Sequence, residues 1–135
     1  MAGLGVCAVD DVAISVLGTV IGHRKDAGWI ITDAGWMAMS RDRGTSAQPV
    51  DRGYGVVCDA DGAVLEELVM KSANQEHGII ARTDGAPMDF AKFPVGSQLR
   101  ILPNHACATA AAFDAYAVVR GSQDVVDRWE RVNGW

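Results

Sequence analysis

Short runs of apolar and β-branched residues, separated by turns containing glycine and aspartate, recur about every ten residues along this chain. In the longest run, residues 12–21, one face is formed by Val12, Ile14, Val16, Gly18 and Val20. Further strands are predicted at residues 29–33, 54–58, 64–65, 68–72, 77–82, 99–102, 116–120 and 125–132. Only residues 106–113 favour a helix. The pattern therefore predicts a mainly β fold, a small barrel or sandwich with one or two short helices.

The length of 135 residues indicates a single domain, residues 1–135, with a core of its own. The formal net charge of −5 argues against a nucleic-acid partner or an anionic membrane surface, because neither attracts an acidic protein. No stretch approaches the roughly 20 apolar residues of a membrane span. The three cysteines are widely spaced and include no CxxC pair, which favours a reducing, cytoplasmic location over a disulfide framework.

The segment Pro-Asn-His-Ala-Cys-Ala-Thr at residues 103–109 places His105 and Cys107 two positions apart, directly after a predicted strand. An imidazole and a thiolate are both suited to zinc. Two ligands do not close a structural site, so either further ligands come from elsewhere or the metal keeps open positions for substrate and water. The alternative is a buried thiol beside a histidine bonded to the backbone.

The spacing also sets a condition on the local backbone of this segment. Within a helix, side chains at positions i and i+2 point about 200° apart. Pro103 disfavours a helix at the residue before it, and a helix that begins after Cys107 would leave both candidate ligands on the preceding turn. We therefore expect the two side chains to converge only on an extended or irregular backbone.

Two other clusters carry polar groups. In Asn-Gln-Glu-His-Gly, residues 74–78, Glu76 and His77 could add a ligand, orient one, or move a proton, whereas the alternative is a polar turn between strands. In Asp-Ala-Gly, residues 33–35, and Ser-Arg-Asp-Arg-Gly, residues 40–44, a carboxylate could lie near a site, but such residues more often cap turns and loops.

These four motifs, in the order in which they follow one another along the chain, resemble the C-terminal domain of the D-serine dehydratase and D-threonine aldolase family, enzymes with pyridoxal phosphate (PLP) and an alanine-racemase-like fold. The resemblance covers nearly the whole chain. It implies a zinc or other divalent ion on His105 and Cys107, with Glu76 or His77 contacting substrate or supporting the metal site. Because an aspartate usually replaces the cysteine in the aldolase branch, Cys107 favours the dehydratase branch.

The implied activity is elimination of water from a β-hydroxy D-amino acid, giving a keto acid and ammonia, in a complete enzyme expected to be a homodimer. The PLP lysine and the barrel that carries it are missing, since none of Lys25, Lys71 and Lys92 has a suitable context. We therefore expect the chain alone to be inactive and to be a part of a longer enzyme. The alternatives are an aldolase-type lyase domain and a free-standing metal-binding domain without catalysis.

Overall fold

The computed structural model describes residues 2–132 of the chain. It contains eight strands and one α-helix, with short 3₁₀ turns between some of them. The strands are β1 (Val16–Arg24), β2 (Trp29–Thr32), β3 (Gly55–Asp59), β4 (Val64–Ala73), β5 (Gly78–Arg82), β6 (Gln98–Pro103), β7 (Ala115–Val119) and β8 (Val125–Glu130). The helix α1 spans Ala106–Ala111 between β6 and β7. The predicted mainly β class is confirmed, and the architecture is a barrel.

Six strands close this barrel in the order β1-β2-β5-β4-β3-β6, and every neighbouring pair is antiparallel. Closure depends on β6, which pairs with β1 on one side and with β3 on the other. Ile101 lies opposite Val16 in one ladder and opposite Val57 in the other. Strands β7 and β8 form a separate two-stranded sheet outside the barrel.

Alternation along the strands fills the barrel interior. In β1, Val16 and Val20 are buried while Leu17 and Ile21 are exposed, as the two-residue period predicts. The largest fully buried side chains include Ile30, Met39, Met70, Ile80 and Ile101. Met39 does not belong to a strand, so the loop after β2 also contributes to the core.

Some predicted strand boundaries were wrong, including the end of the strand predicted at residues 125–132, which stops at Glu130. Residues 12–15 precede β1, because a 3₁₀ turn at Val9–Asp11 leads into the strand at Val16 instead. Residues 64–65 and 68–72 continue as one strand, β4, as expected, with an irregularity in its pairing with β3. The turn before β4 agrees with its sequence, since the Asp59 carboxylate accepts hydrogen bonds from the backbone N–H groups of Asp61, Gly62 and Ala63.

The β7–β8 hairpin is tied to the rest of the domain by two arginines. Arg100 of β6 donates to the backbone carbonyl of Ala60 (2.6 Å) and to that of Ser122 (3.4 Å). Arg131 donates to the carbonyl of Ala110 in α1. Within residues 2–132, no helix combines the length and the apolar character needed to cross a bilayer.

Candidate metal site

His105 lies in the short connection between β6 and α1. It is the residue before the first helical turn, with φ −131° and ψ 96°. Its carbonyl oxygen accepts hydrogen bonds from the backbone N–H of Thr109 (3.1 Å) and from the Thr109 hydroxyl (2.9 Å). Because Thr109 is only 1% exposed, this double contact holds the backbone of His105 against the packed side of the helix.

The neighbouring Asn104 ties the same connection to a distant loop. Its side-chain amide donates to the carbonyl of Gly53 (2.7 Å) and to that of Asp42 (3.4 Å). Residues 36–54 make up most of the long connection between β2 and β3, so Asn104 links this loop to the end of β6. The loop is thereby held beside His105.

The imidazole of His105 is paired with the carboxylate of Asp42. Its Nδ1 atom contacts Asp42 Oδ2, and the two side chains are 46% and 54% exposed. A carboxylate accepts hydrogen bonds, so in the neutral ring Nδ1–H is the donor and Nε2 keeps its lone pair. Nε2 has no hydrogen-bond partner among residues 2–132 and is the nitrogen that could bind a ligand.

Cys107 is the second residue of α1 and is an exposed free thiol. The helix begins at Ala106, so Cys107 stands inside it and only His105 keeps an extended backbone. The helix thus begins where the helix-favouring segment, residues 106–113, was predicted to begin, and not after Cys107. The reason is that His105, as the residue before the helix, can already accept the first helical hydrogen bond through its carbonyl.

The other cysteines differ from Cys107 in their surroundings. Cys58 is fully buried in β3, and this burial raises the pKa of its thiol. Cys7 is partly buried near the N-terminus. Of these three free thiols, Cys107 alone is exposed.

The donor chemistry of His105 and Cys107 fits a borderline divalent metal such as zinc. In residues 2–132, however, no group of three or more histidine, cysteine, aspartate or glutamate side chains is arranged to hold an ion. His105 and Cys107 therefore remain candidate ligands, and a site formed by them would need further groups from water, substrate or another domain.

Glu76 and His77 lie in the turn between β4 and β5, and both are exposed. The backbone N–H of Asn74 donates to the His77 carbonyl (2.8 Å), which closes this turn. Within residues 2–132, no hydrogen bond or ion pair joins either side chain to His105 or Cys107. The geometry is that of a polar turn between strands whose side chains remain available to a ligand.

The structure brings this turn against the Asp-Ala-Gly motif instead. The N–H groups of Trp36 and Met37 donate to the carbonyls of Asn74 (2.8 Å) and Gln75 (3.1 Å). Gly35 packs so closely that a Cβ atom there would lie 2.5 Å from the Gln75 carbonyl oxygen. The Asp33 carboxylate accepts from the Thr19 N–H (2.7 Å). This motif therefore has a structural role at the joint between the end of β2 and the β4–β5 turn.

Asp42 belongs to the motif at residues 40–44, but no partner was predicted for it from the sequence. It occurs in a polar loop, between two arginines, and nothing in that spacing points to a histidine 63 residues later. The pairing arises because the loop after β2 folds across the end of β6.

A cleft of about 370 Å³ lies beside this site, between the N-terminal residues and the loop that contains Gly44, Gln48 and Arg52. Asn104 lines it, but His105 and Cys107 do not. The two candidate ligands therefore lie on an exposed surface beside the cleft, where another polypeptide segment or a substrate could reach them.

Comparison with known families identifies this domain. The family model for the serine dehydratase domain matches residues 13–119. The chain belongs to this family. The match extends from just before β1 to the end of β7 and so includes the whole barrel, Glu76, His77, His105 and Cys107.

Individual relatives of the chain are dehydratases that act on D-amino acids. The chain is 60% identical to the D-threo-3-hydroxyaspartate dehydratase of Delftia sp. (strain HT23), over 100% of this chain and 36% of that enzyme. It is 30% identical to the D-serine dehydratase of Dictyostelium discoideum, over 98% of this chain and 33% of that enzyme. The chain spans about a third of these dehydratases and corresponds to their C-terminal part.

A shorter relative also exists. An uncharacterized protein of Mycobacterium tuberculosis (strain ATCC 25618 / H37Rv) is 33% identical over 94% of this chain and 87% of its own length.

Solved structures of D-threo-3-hydroxyaspartate dehydratase have the same fold. A cysteine-to-alanine mutant in the metal-free form gives a TM-score of 0.92 at 58% identity, covering 100% of this chain and 36% of that one. A histidine-to-alanine mutant gives a TM-score of 0.90 at 59% identity, covering 100% and 35%. The chain is thus a domain of a dehydratase-type lyase family.

Proposed function

We propose that this chain is the metal-binding C-terminal domain of a PLP- and zinc-dependent lyase that removes water from a β-hydroxy D-amino acid. The observation that carries the proposal is the 60% identity, over the full chain, to a D-threo-3-hydroxyaspartate dehydratase. D-Serine is the other candidate substrate, because a D-serine dehydratase is also a full-length match. The products are a keto acid and ammonia.

His105 and Cys107 are the proposed metal ligands. In the related dehydratase, structures exist of a histidine mutant and of a cysteine mutant at positions two residues apart, and the cysteine mutant is in a metal-free form. His105 and Cys107 have the same order and spacing. Both side chains are exposed at the end of β6, which would let a β-hydroxyl oxygen reach a metal held there.

When bound, PLP would supply an electron sink for loss of the Cα proton, and zinc would supply a Lewis acid for the departing β-hydroxyl. The residues of this chain would hold the metal through His105 Nε2 and the Cys107 thiolate. Glu76 and His77 are proposed to contact substrate or to move a proton, since both are exposed on the β4–β5 turn.

PLP and its lysine are assigned to a separate barrel domain, because this chain corresponds to only 36% of its 60%-identical relative. The complete enzyme is proposed to be a cytoplasmic homodimer. Sedimentation of the complete enzyme would check the dimer.

Cadmium titration of the chain tests the ligands. The thiolate-to-cadmium charge-transfer absorbance should develop in the wild type and disappear in Cys107→Ala, and the affinity should fall sharply in His105→Ala. His77→Ala and Cys7→Ser are matched controls, each removing one group of the same type elsewhere in the chain, and should titrate like the wild type. Unchanged titration of both ligand variants would contradict the assignment.

Activity is tested on the complete reading frame that contains this domain. Ammonia release from D-threo-3-hydroxyaspartate and D-serine is expected, and His105→Ala or Cys107→Ala should abolish it while the PLP absorbance remains. Glu76→Gln and His77→Ala should lower kcat by about 10²–10⁴-fold with the metal retained, if they act as acid or base. Release of glycine and an aldehyde from D-threonine would instead indicate the aldolase activity.

A free-standing metal-binding domain without catalysis is the second candidate. It is favoured by the mycobacterial relative, of which this chain covers 87%. An immunoblot of the native organism's extract separates the two proposals, because the lyase predicts a band near the size of the complete dehydratases and the free-standing domain predicts one near 14.3 kDa.

A further inference from the structure

We infer that Asp42 is a positioning residue for His105, which fixes the imidazole in the tautomer that presents Nε2 to a metal. This inference rests on the proposed function, because it assumes that His105 is a metal ligand. It concerns a residue 63 positions away in the sequence and on a different segment of the fold.

The contact itself defines the tautomer. Asp42 Oδ2 accepts from His105 Nδ1, so the proton of the neutral ring stays on Nδ1 and the lone pair stays on Nε2. Histidines that bind metals commonly donate their other ring N–H to a carboxylate or a carbonyl, and this contact orients the ring and raises the basicity of the ligating nitrogen.

Asp42 is itself held on two sides. Its backbone N–H donates to the Ser40 hydroxyl (3.2 Å), and its carbonyl accepts from the Asn104 amide (3.4 Å). Asn104 also donates to Gly53 at the far end of the same loop (2.7 Å). The residue next to His105 therefore places the carboxylate that contacts its ring.

This arrangement differs from an ordinary surface ion pair. Arg24 and Asp26, for example, are two residues apart, and both side chains are well exposed. Exposed pairs contribute little to stability, and the Asp42–His105 pair is itself about half exposed. The difference is that the Asp42–His105 pair joins two segments of the fold and is supported by an independent amide contact.

Three variants separate the components of this role. Asp42→Ala removes the acceptor, Asp42→Asn keeps an acceptor oxygen but removes the charge, and Asp42→Glu restores the charge on a longer side chain. Asp84→Ala is the control, since it removes an exposed carboxylate paired with Arg82 elsewhere on the surface. Each variant is first checked for native folding by its NMR amide spectrum.

The first readout needs no metal. Imidazole nitrogen chemical shifts at a pH where His105 is neutral should show the Nδ1–H tautomer in the wild type and a mixture rich in Nε2–H in Asp42→Ala. The peak assignment comes from His105→Ala. Asp42→Glu should recover the wild-type chemical shifts at least in part, because its carboxylate can again accept from Nδ1–H. Disruption of the loop by itself would not favour one tautomer.

The second readout is zinc affinity by competition with a chromophoric chelator. Asp42→Ala should bind zinc about 10–100-fold more weakly, Asp42→Asn should lie between it and the wild type, and Asp84→Ala should match the wild type. An unchanged tautomer or an unchanged zinc affinity in Asp42→Ala overturns the inference while the proposed function stands. Full zinc retention by His105→Ala overturns the ligand assignment, and the inference falls with it.

Discussion

The barrel and the candidate site are stabilised by different interactions. In the barrel, interior side chains such as Val20, Ile80 and Ile101 are completely buried. In the site segments, defined here as residues 36–54 and 104–111, the described contacts are mainly polar and most side chains are exposed. The barrel is therefore held by burial, which many residues share, and the site by a few individual hydrogen bonds.

Met39 connects the two regions. It lies in the loop of the site segments, yet it is only 2% exposed and packs in the barrel core. The polar residues that follow, including Asp42, are thus attached to the rigid barrel by an apolar anchor three positions earlier. The comparison teaches that the barrel can position a site formed by loops, provided that the loops are anchored in its core.

The largest effect is expected for an interior side chain of β6, the strand that closes the barrel. Ile101→Ala should lower the free energy of unfolding by about 2–5 kcal/mol, because the side chain is fully buried between β1 and β3. Urea unfolding followed by circular dichroism measures this change. Leu17→Ala is the control. The Leu17 side chain on β1 is 47% exposed, so its removal should lower the free energy of unfolding much less. Equal losses would refute the difference between interior and surface positions.

The next effect is expected at the joint between the Asp-Ala-Gly motif and the β4–β5 turn. Gly35→Ala should destabilise by about 1–3 kcal/mol, because the new Cβ would lie 2.5 Å from the Gln75 carbonyl oxygen and from the Glu76 carbonyl carbon. Both obstacles are backbone atoms, so they cannot rotate away. Thermal unfolding measures the loss.

Gly22→Ala is the matched control for this joint. Nothing lies within 4 Å of a Cβ at that position, and its φ is not positive. The substitution should be neutral or stabilise by about 0.4–1 kcal/mol, because it restricts the unfolded chain. A similar destabilisation by both substitutions would show that strand propensity, and not the close approach, sets the cost.

A smaller, pH-dependent effect is expected within the site segments. The Gly53 N–H donates to the Asp51 carboxylate, the Thr45 hydroxyl also donates to it, and the Arg43 guanidinium pairs with it, which together lower the pKa of Asp51 below its usual 3.8. A carboxyl whose pKa is lower in the folded state contributes stability above its unfolded pKa and loses that contribution as the pH falls through the folded pKa. Asp51→Asn should therefore be less stable than the wild type at neutral pH, with the difference shrinking below 3.8.

Urea unfolding at several pH values measures this trend, and hydrogen exchange at the Gly53 amide localises it. Asp26→Asn serves as the comparison, because Asp26 also has a lowered pKa, caused mainly by its hydrogen bond with Arg24, but it lies in a turn outside the site segments. Faster exchange at Gly53 is expected only in Asp51→Asn. A difference from the wild type that stays constant with pH would contradict the assigned role of the carboxylate.

The smallest effect is expected on the β7–β8 hairpin. Arg128 and Glu130 form an ion pair on β8, a strand whose side chains are all exposed. Such pairs are screened by solvent and contribute little. Glu130→Gln should leave the melting temperature unchanged within error at low and at high salt. A clear, salt-dependent decrease would show that the hairpin contributes to the stability of the barrel.

Local patterns in the sequence predicted much of this molecule. Alternation identified most strands, and the Asp59 to Gly62 segment predicted the turn before β4. The family resemblance, confirmed by the match over residues 13–119, came from motifs that can be read along the chain. The start of β1 and the end of β8 were wrong, because the ends of elements depend on contacts outside the repeating pattern.

Contacts between segments that are distant in the sequence could not be predicted from these local patterns. The sequence placed residues 33–35 and 74–78 in separate polar clusters, whereas the structure packs them together through Gly35 and the backbone of the β4–β5 turn. It also predicted no partner for Asp42 in the motif at residues 40–44, although that carboxylate contacts His105. Neither pairing has a signature in spacing, because no period relates residues on different elements.

The sequence by itself determined the mainly β class, the family, and the positions of the two candidate ligands at the end of a strand. Those features follow from side-chain chemistry and from periods of a few residues. The closing of the barrel through β6, the anchoring of the loop by Met39, and the meeting of Asp42 with His105 were decided by the tertiary structure. The reason is that each of them depends on how the strands close around a shared core, which brings together residues that no local interaction relates.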